Sequence, residues 1–191
     1  MAGITATTTI ADLKTIFNKI DEVYFKDDEI TTTELGGSSA ISDVMELPVL
    51  SDGVTLNTGE AEVTEIRLTT NEIWTSRAEK GDSDITFQVP SVAGEVNDLF
   101  LDNKSAAISS TILVDGKTFS GAAYSLSPKK VKGALVLMSE DKQTVIVLPA
   151  VEMYANLVAA DGENPAYFNV SVTPVANSEG FDIMILGDTA A

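Results

Sequence analysis

The apolar pattern of the chain is organised around residues 132–148, which read KGALVLMSEDKQTVIVL. Two runs of apolar and β-branched residues, 134–138 and 144–148, flank the polar tetrapeptide 139–142. Residue types that suit a pleated surface on both sides of a short polar turn predict a β-hairpin. Because neither run alternates with polar residues, we expect both faces of the hairpin to be covered and the hairpin to lie centrally in a sheet.

A helical spacing of apolar residues occurs in the N-terminal part of the chain. Apolar side chains recur at intervals of three and four residues, at Ile10, Leu13, Phe17, Ile20 and Tyr24. Thr8 or Thr9 is a suitable N-cap, and Asp12 complements the positive end of the helix dipole. The pattern predicts an amphipathic helix over residues 9–25. Its apolar stripe packs on the core in one interpretation and on a neighbouring subunit in the other.

Residues 26–52 show no regular periodicity. They combine acidic residues and threonines with Gly36 and Gly37, followed by two serines, and this composition predicts a long, flexible loop. The glycines are not followed by the lysine and the helix of a phosphate-binding loop, so a nucleotide site is not expected. The apolar end of the loop, residues 44–50, is interpreted as an edge strand or as a surface that packs on a partner.

The rest of the chain has the pattern of short strands separated by turn-forming residues. An Asp-Gly pair at 115–116 is a strong local hairpin signal, and Ser91 opens a predicted short helix over residues 92–101. Pro149 is expected to end the central hairpin. Beside that hairpin, strands are predicted at residues 61–68, 72–77, 85–89, 108–114, 117–126, 151–160, 168–173 and 181–185. The last two of these are expected to form a closing hairpin.

These elements predict a β-rich α+β fold class, as a β-sandwich or a partly open barrel with one long N-terminal helix and one short flanking helix. At 191 residues, a single domain is expected. It comprises the helix at about 9–25, the loop at about 26–52 and a β-rich body at 53–187.

The composition restricts the chemistry. The chain has neither cysteine nor histidine, which excludes disulfides, thiolate nucleophiles, histidine metal ligands and the commonest general base. The carboxylates most like a metal site are Glu60, Glu62, Glu65, Asp82 and Asp84, and their spacing does not match a calcium loop. We interpret them as a solvated face, and expect no enzyme activity, no metal and no cofactor. Trp74 and Tyr124 are a candidate sugar-stacking platform, but packing in a core or interface is favoured.

The charge is strongly acidic, with 12 basic against 29 acidic residues and a net charge of −17. This disfavours binding to nucleic-acid phosphates or to an anionic membrane. The one basic cluster, Lys129, Lys130 and Lys132, is too small for a nucleic-acid footprint. The N-terminus has no signal-peptide pattern and no run of about 18 apolar residues occurs, so a cytosolic product is expected. The acidic surface serves solubility, or it lies beside DNA without holding it.

Three segments resemble the tail tube proteins of tailed bacteriophages: residues 59–100, 132–157 and 168–186. The similarity lies in the strand order and in phrases such as KGDSDITFQVPS and KGALVLMSEDKQTVIVLP. The tube protein of the bacterial type VI secretion system is similar. The resemblance implies a structural virion protein, assembled in the bacterial cytoplasm and then part of the virion tail. It also implies a homo-oligomer, usually a hexameric ring, whose rings stack with other tail proteins into a tube that passes double-stranded DNA without specific binding.

In such an assembly the central hairpin continues its sheet into the next subunit, and residues 26–52 order on an adjacent ring. The candidate subunit-interface residues are therefore Gly36, Gly37, Ile41, Val44, Met45, Leu47, Leu135, Leu137, Val145 and Val147. The alternative hypothesis is a soluble β-sandwich binding module or adhesin that recognises a protein or a glycan through its loops.

Overall fold

The computed structural model describes residues 17–37, 40–50, 54–104, 108–114, 117–160 and 165–188. Over these residues the chain is β-rich, with fourteen strands and two short helices. In chain order the elements are β1 (Ile20–Lys26), α1 (Thr32–Leu35), β2 (Val44–Leu47), β3 (Thr55–Asn57), β4 (Ala61–Arg67), β5 (Ile73–Lys80), β6 (Asp84–Val89), α2 (Gly94–Phe100), β7 (Asp102–Asn103), β8 (Ile108–Val114), β9 (Lys117–Gly121), β10 (Tyr124–Ser125), β11 (Val131–Ser139), β12 (Thr144–Val158), β13 (Tyr167–Pro174) and β14 (Met184–Gly187).

One large antiparallel sheet dominates the fold. Its strand order is β2-β1-β11-β12-β13-β6-β3, and β14 pairs with β12 beside β13. The predicted central hairpin is confirmed, because β11 and β12 pair directly in the middle of this order. Leu135 opposite Leu148 and Leu137 opposite Ile146 are all buried. On the opposite face Ala134, Val136 and Val147 are buried as well, so the nearly continuous apolar pattern of the two strands reflects covering of both faces.

The sequence predicts that the hairpin ends at Pro149. In the structure strand β12 continues through Pro149 to Val158. The register with β11 shifts between Gly133 and Leu135, opposite Pro149 and its neighbour. A bulge at this point accommodates a residue that has no backbone N–H to donate. On its other side β12 pairs with β14 before the bulge and with β13 after it.

The sheet curls back on itself into a sandwich-like body. The backbone N–H of Leu50 donates to the carbonyl of Gln88 in β6, with an N···O distance of 3.0 Å. Leu50 lies three residues after the end of β2 at Leu47, a reach of about 11 Å at most. In the sheet order β6 is five strands away from β2, or about 24 Å in a flat sheet. Only a curled sheet brings the two ends this close.

The main core lies inside the curl and is closed by helix α2. Val96 and Phe100 are the buried residues of this helix. The Phe100 ring is tilted against the ring of Phe168 on β13, with centroids 5.3 Å apart. The predicted short flanking helix is thus confirmed. No helix within the described ranges is long and apolar enough to cross a membrane.

The prediction of a long N-terminal helix over residues 9–25 is wrong, because residues 20–26 form strand β1. Residues 9–16 lie outside the described residues. Val23 and Phe25 are also two residues apart, so the second half of the segment fits the period of a strand as well. Pairing with β11 on one side and β2 on the other buries Val23 and Phe25. This tertiary pairing outweighs the local helical spacing.

The predicted loop 26–52 is more regular than its composition suggests. It contains helix α1 and strand β2, and β2 is the edge strand that was predicted within residues 44–50. Ile30, between β1 and α1, is fully buried against the second face of the sheet. It belongs to a small apolar cluster with Ala134, Val136 and Val147. The segment therefore packs on its own chain.

The predicted closing hairpin is also wrong, since β14 pairs with β12 and not with β13. After β13 the backbone N–H of Val175 bonds to the carbonyl of Ala150, at 2.9 Å. This bond holds the chain against β12 beyond the bulge. The loop that follows then crosses to the second face, where it meets the segment around Ile30.

Candidate assembly surfaces

Strands β4 and β5 form a hairpin arm, defined here as residues 61–80. They pair only with each other among the described residues, with Glu62 opposite Glu79 and Ile66 opposite Thr75. Every residue of both strands is exposed. The arm therefore contributes nothing to the core of its own chain.

The outer part of the arm carries apolar side chains that no part of the described chain covers. Trp74 is 72% exposed, and it is the single tryptophan of the sequence. The register shifts between Ile66 and Arg67, which leaves Trp74 without a directly opposite residue. The exposed apolar residues of the arm are Val63, Ile66, Leu68, Ile73 and Trp74. Trp74 is thus absent from the core, one of the two locations expected from the sequence.

The base of the arm is held in place by two glycines and an ion pair. A Cβ atom on Gly59, whose φ is +84°, would lie 2.5 Å from the carbonyl oxygen of Asp82. A Cβ on Gly81 would collide with the carbonyl oxygen of Glu60. Only glycine permits this close approach of the two chain segments. The Nζ of Lys80 also lies 3.3 Å from a carboxylate oxygen of Asp182, which connects the arm to the body.

A polar clasp joins the segment before α1 to the loop between β13 and β14. The Glu29 carboxylate accepts hydrogen bonds from the backbone N–H and the hydroxyl of Ser178, at 3.0 and 2.5 Å. In the reverse direction the Glu179 carboxylate accepts from the backbone N–H and the hydroxyl of Thr32, both at 2.8 Å. The clasp retains Ile30 over the second apolar face.

Buried Asn177 organises the loop half of the clasp. Its side-chain amide donates to the carbonyl of Ile30, at 3.0 Å. Its side-chain oxygen accepts from the backbone N–H groups of Phe181 and Glu179, at 2.9 and 3.1 Å. The amide thus satisfies several otherwise unpaired backbone groups in a part of the chain without regular structure.

Acidification should loosen the clasp through Glu179. Its hydrogen bonds from Thr32 lower the pKa of this carboxyl below its ordinary value of 4.5. A lowered folded-state pKa gives stability that is present above 4.5 and lost as the pH falls through the folded value. Glu179→Gln should therefore reduce the free energy of unfolding at neutral pH, and the difference from wild type should shrink below pH 4.5. Urea denaturation of both proteins at pH values from about 7 to about 3 measures this.

The matched control is Glu140→Gln, which changes an exposed glutamate in the turn between β11 and β12. This variant should follow the wild-type pH dependence. A stability difference between wild type and Glu179→Gln that stays constant across the pH range would contradict the role assigned to this carboxylate.

The three lysines of the basic cluster all make contacts within their own chain. Lys130 and Lys132 approach the two carboxylate oxygens of Glu152, at 2.5 and 3.6 Å, and Lys129 donates to the backbone carbonyl of Asp98, at 2.5 Å. The hydrogen bond to Glu152 raises the pKa of Lys130. The Tyr124 hydroxyl donates to the Asp98 carboxylate, at 3.0 Å. Asp98 and the three lysines line a groove of about 560 Å³ beside α2.

The ten predicted interface residues occupy different environments. Four of them, Leu47, Leu135, Leu137 and Val147, are buried by packing within the chain. Val44 and the two glycines are exposed, and the remaining three, Ile41, Met45 and Val145, are half-buried. An intersubunit role for the ten stays a prediction, and the accessible part of the set lies around β2.

Three strands of the large sheet, β2, β3 and β14, present an edge that no described strand occupies. Strand β2 ends the sheet order, and β14 pairs only with β12. In β14 the side chains of Ile185 and Leu186 are exposed, and its sequence MILG carries no charge. An exposed apolar edge without charged residues is a site for pairing with another strand. The sequence pattern predicted a strand at residues 181–185, which overlaps β14 only at residues 184–185, and it did not indicate an open edge.

The acidic residues singled out in the sequence do not converge. Glu65 pairs with Arg67 on the same strand, at 2.5 Å. Within the part of the chain that the structure describes, no group of three or more acidic residues is placed to hold a metal ion.

A comparison with protein-family models gives no match, and a comparison with curated proteins gives no match either. The functional argument therefore rests on the geometry of the arm, the strand edges and the charge.

Proposed function

We propose that this chain is a structural, self-assembling subunit of a bacteriophage tail tube, which forms stacked rings through which DNA passes. The observation that carries the proposal is the arm, a hairpin anchored at its base and exposed along its whole length. The choice of a tail tube among possible assemblies rests on the resemblance in strand order described above. The finer description of the body as a tail-tube β-sandwich belongs to the same proposal.

The arm has the composition of a docking element. A two-stranded hairpin alone is at best marginally stable in water, and this one exposes five large apolar side chains. It also carries the single tryptophan and both arginines of the chain, Arg67 and Arg77. Tryptophan and arginine are enriched among residues that dominate binding energy at protein interfaces. A second protein surface that covers the arm would explain why it carries apolar area outside the core.

The open edges of β2 and β14 supply surfaces for lateral contacts. Strand addition at an edge satisfies backbone hydrogen bonds and needs little side-chain specificity. Pairing of one copy's β2 with the next copy's β14 uses different surfaces on the two partners, and such contacts close into a ring when the rotation permits. This supports a homo-oligomer in which the free edges of β2 and β14 are paired.

The charge favours a conduit that does not retain DNA. With a net charge of −17, the surface repels phosphate and offers no release of counterions on binding. The lysines of the basic cluster are already paired with acceptors of the same chain. We propose no enzymatic activity and no specific nucleic-acid binding.

Negative-stain electron microscopy and light scattering of the purified full-length protein test the proposal. We expect rings or tubes of uniform diameter at high protein concentration. Added salt should favour them, because it screens the repulsion between acidic copies. A control in which residues 61–80 are replaced by a short Gly-Ser linker should fold and remain unassembled. A strictly monomeric wild-type protein at every concentration and salt tested would overturn the proposal and favour a soluble binding module.

A further inference from the structure

A groove at the far end of the large sheet is a second uncovered apolar surface. We call it the distal groove; it has a volume of about 440 Å³ and is lined by Leu101, residues 126–128, residues 154–157 and Ser171. Leu126 is 85% exposed, and Tyr154 and Leu157 are also exposed. Nothing in the described chain fills this groove.

The strand register separates the far side of the distal groove from the point where the arm joins the sheet. The arm joins β6 at its first residues, where Ile85 is opposite Val172 and Val172 is opposite Met153. Leu157 lies four residues further along β12, a distance of about 14 Å at the rise of a strand. The groove therefore begins beside Tyr154 and Ser171, close to the level at which the arm joins β6, and extends away from it to Leu157.

Both surfaces lack net charge in a chain that is otherwise strongly acidic. None of the residues lining the groove is charged. The outer part of the arm, residues 66–75, contains one arginine and one glutamate, so its formal charge is zero. Two copies with a net charge of −17 repel each other over most of their surfaces, and contact costs least where both partners are neutral.

The sizes also match. A volume of about 440 Å³ lies in the range of pockets that bind small molecules, about 300–1,000 Å³, and leaves room for an indole side chain. Trp74 is the largest uncovered apolar side chain of the arm, and Ile73 is its exposed neighbour. Insertion of Trp74 would bury the most exposed apolar area that the arm presents.

We infer that the outer part of the arm, residues 66–75, docks into the distal groove of a second copy of this chain. The inference rests on the proposed self-assembly and names the two surfaces that join successive copies. Because the two surfaces differ, the contact is head-to-tail, and it repeats from copy to copy where the rotation between them does not close into a ring. Each added copy then offers one free arm and one free groove.

Disulfide cross-linking tests this contact, since the sequence contains no cysteine. Thr70→Cys places a thiol on the turn at the end of the arm, and Ser127→Cys places one in the distal groove. The two single variants are mixed in equal amounts under mild oxidation. The control mixture pairs Thr70→Cys with Ser42→Cys, which changes an exposed residue just before β2. Docking raises the local thiol concentration, so the heterodimer should form roughly tenfold faster, or more, in the test mixture.

The double variant Thr70→Cys/Ser127→Cys gives a second readout. Head-to-tail docking should produce a ladder of cross-linked multimers on a non-reducing denaturing gel. An intrachain product, or equal cross-linking of the test and control mixtures, would overturn the inference. Tubes seen by electron microscopy without a ladder of cross-linked multimers would support the proposed function and contradict docking of the arm in the distal groove. A ladder without rings or tubes would support the contact and remove the tail-tube proposal.

Discussion

Phe168→Ala should lower the free energy of unfolding by about 3–5 kcal/mol, the range for truncating a fully buried phenylalanine. Phe168 is 0% exposed and lies on β13, in the interior of the curled sheet. Its ring contacts that of Phe100, so the truncation leaves a cavity beneath α2 and removes the aromatic contact that holds this helix. Urea denaturation followed by circular dichroism measures the loss as a shift of the unfolding midpoint.

The matched control is Phe181→Ala, because Phe181 is the same residue type but is 44% exposed. It should cost about 1 kcal/mol or less, in line with substitutions near the surface. The backbone hydrogen bond from Phe181 to Asn177 does not depend on the side chain and persists in the variant. Equal destabilisation by the two substitutions would contradict the placement of Phe168 in the core.

The sequence predicts the centre of the sheet well because the relevant information is local. In residues 132–148 the two apolar runs and the turn between them are adjacent, so pattern and pairing agree. The same holds for α2, where Val96 and Phe100 lie four residues apart and both are buried. Elements of this kind can be predicted without information about distant strands.

The sequence fails where two periodicities overlap or where a distant partner decides the pairing. Residues 20–26 fit a helix by their spacing, and β11 and β2 make them a strand. Strand β14 pairs with β12 because the loop anchored by Asn177 carries the chain away from β13. Neither outcome is visible in a window of neighbouring residues.

The candidate site shows the same division. Leu135 and Leu137 suggested an interface because an apolar strand must be covered, but the pattern does not tell whether the cover comes from the same chain. In the structure the same chain covers both residues. For the arm, the strands were predicted and Trp74 was expected to pack in a core or an interface; the structure excludes the core of its own chain. That the whole hairpin stands clear of the body depends on its base, where Gly59 and Gly81 meet the opposing chain.

Trp74→Ala should weaken self-assembly strongly while leaving the folded body intact. A large aromatic residue at the centre of an interface contributes about 2–4 kcal/mol, so the protein concentration at half-assembly should rise about 30- to 1,000-fold. Light scattering against concentration measures the shift. The free energy of unfolding should change by no more than about 0.5 kcal/mol, because Trp74 is 72% exposed in the single chain.

Val92→Ala is the control for this prediction, since it removes an exposed apolar side chain that lies outside both the arm and the distal groove. Its half-assembly concentration should stay within about threefold of wild type, as for a surface substitution outside an interface. The single tryptophan provides a separate readout, because burial of Trp74 in a partner shifts its fluorescence emission to shorter wavelength as assembly proceeds. Assembly of wild type without that shift, together with unchanged assembly of Trp74→Ala, would show that copies join through surfaces other than the arm. The open edges of β2 and β14 would then account for the self-association alone.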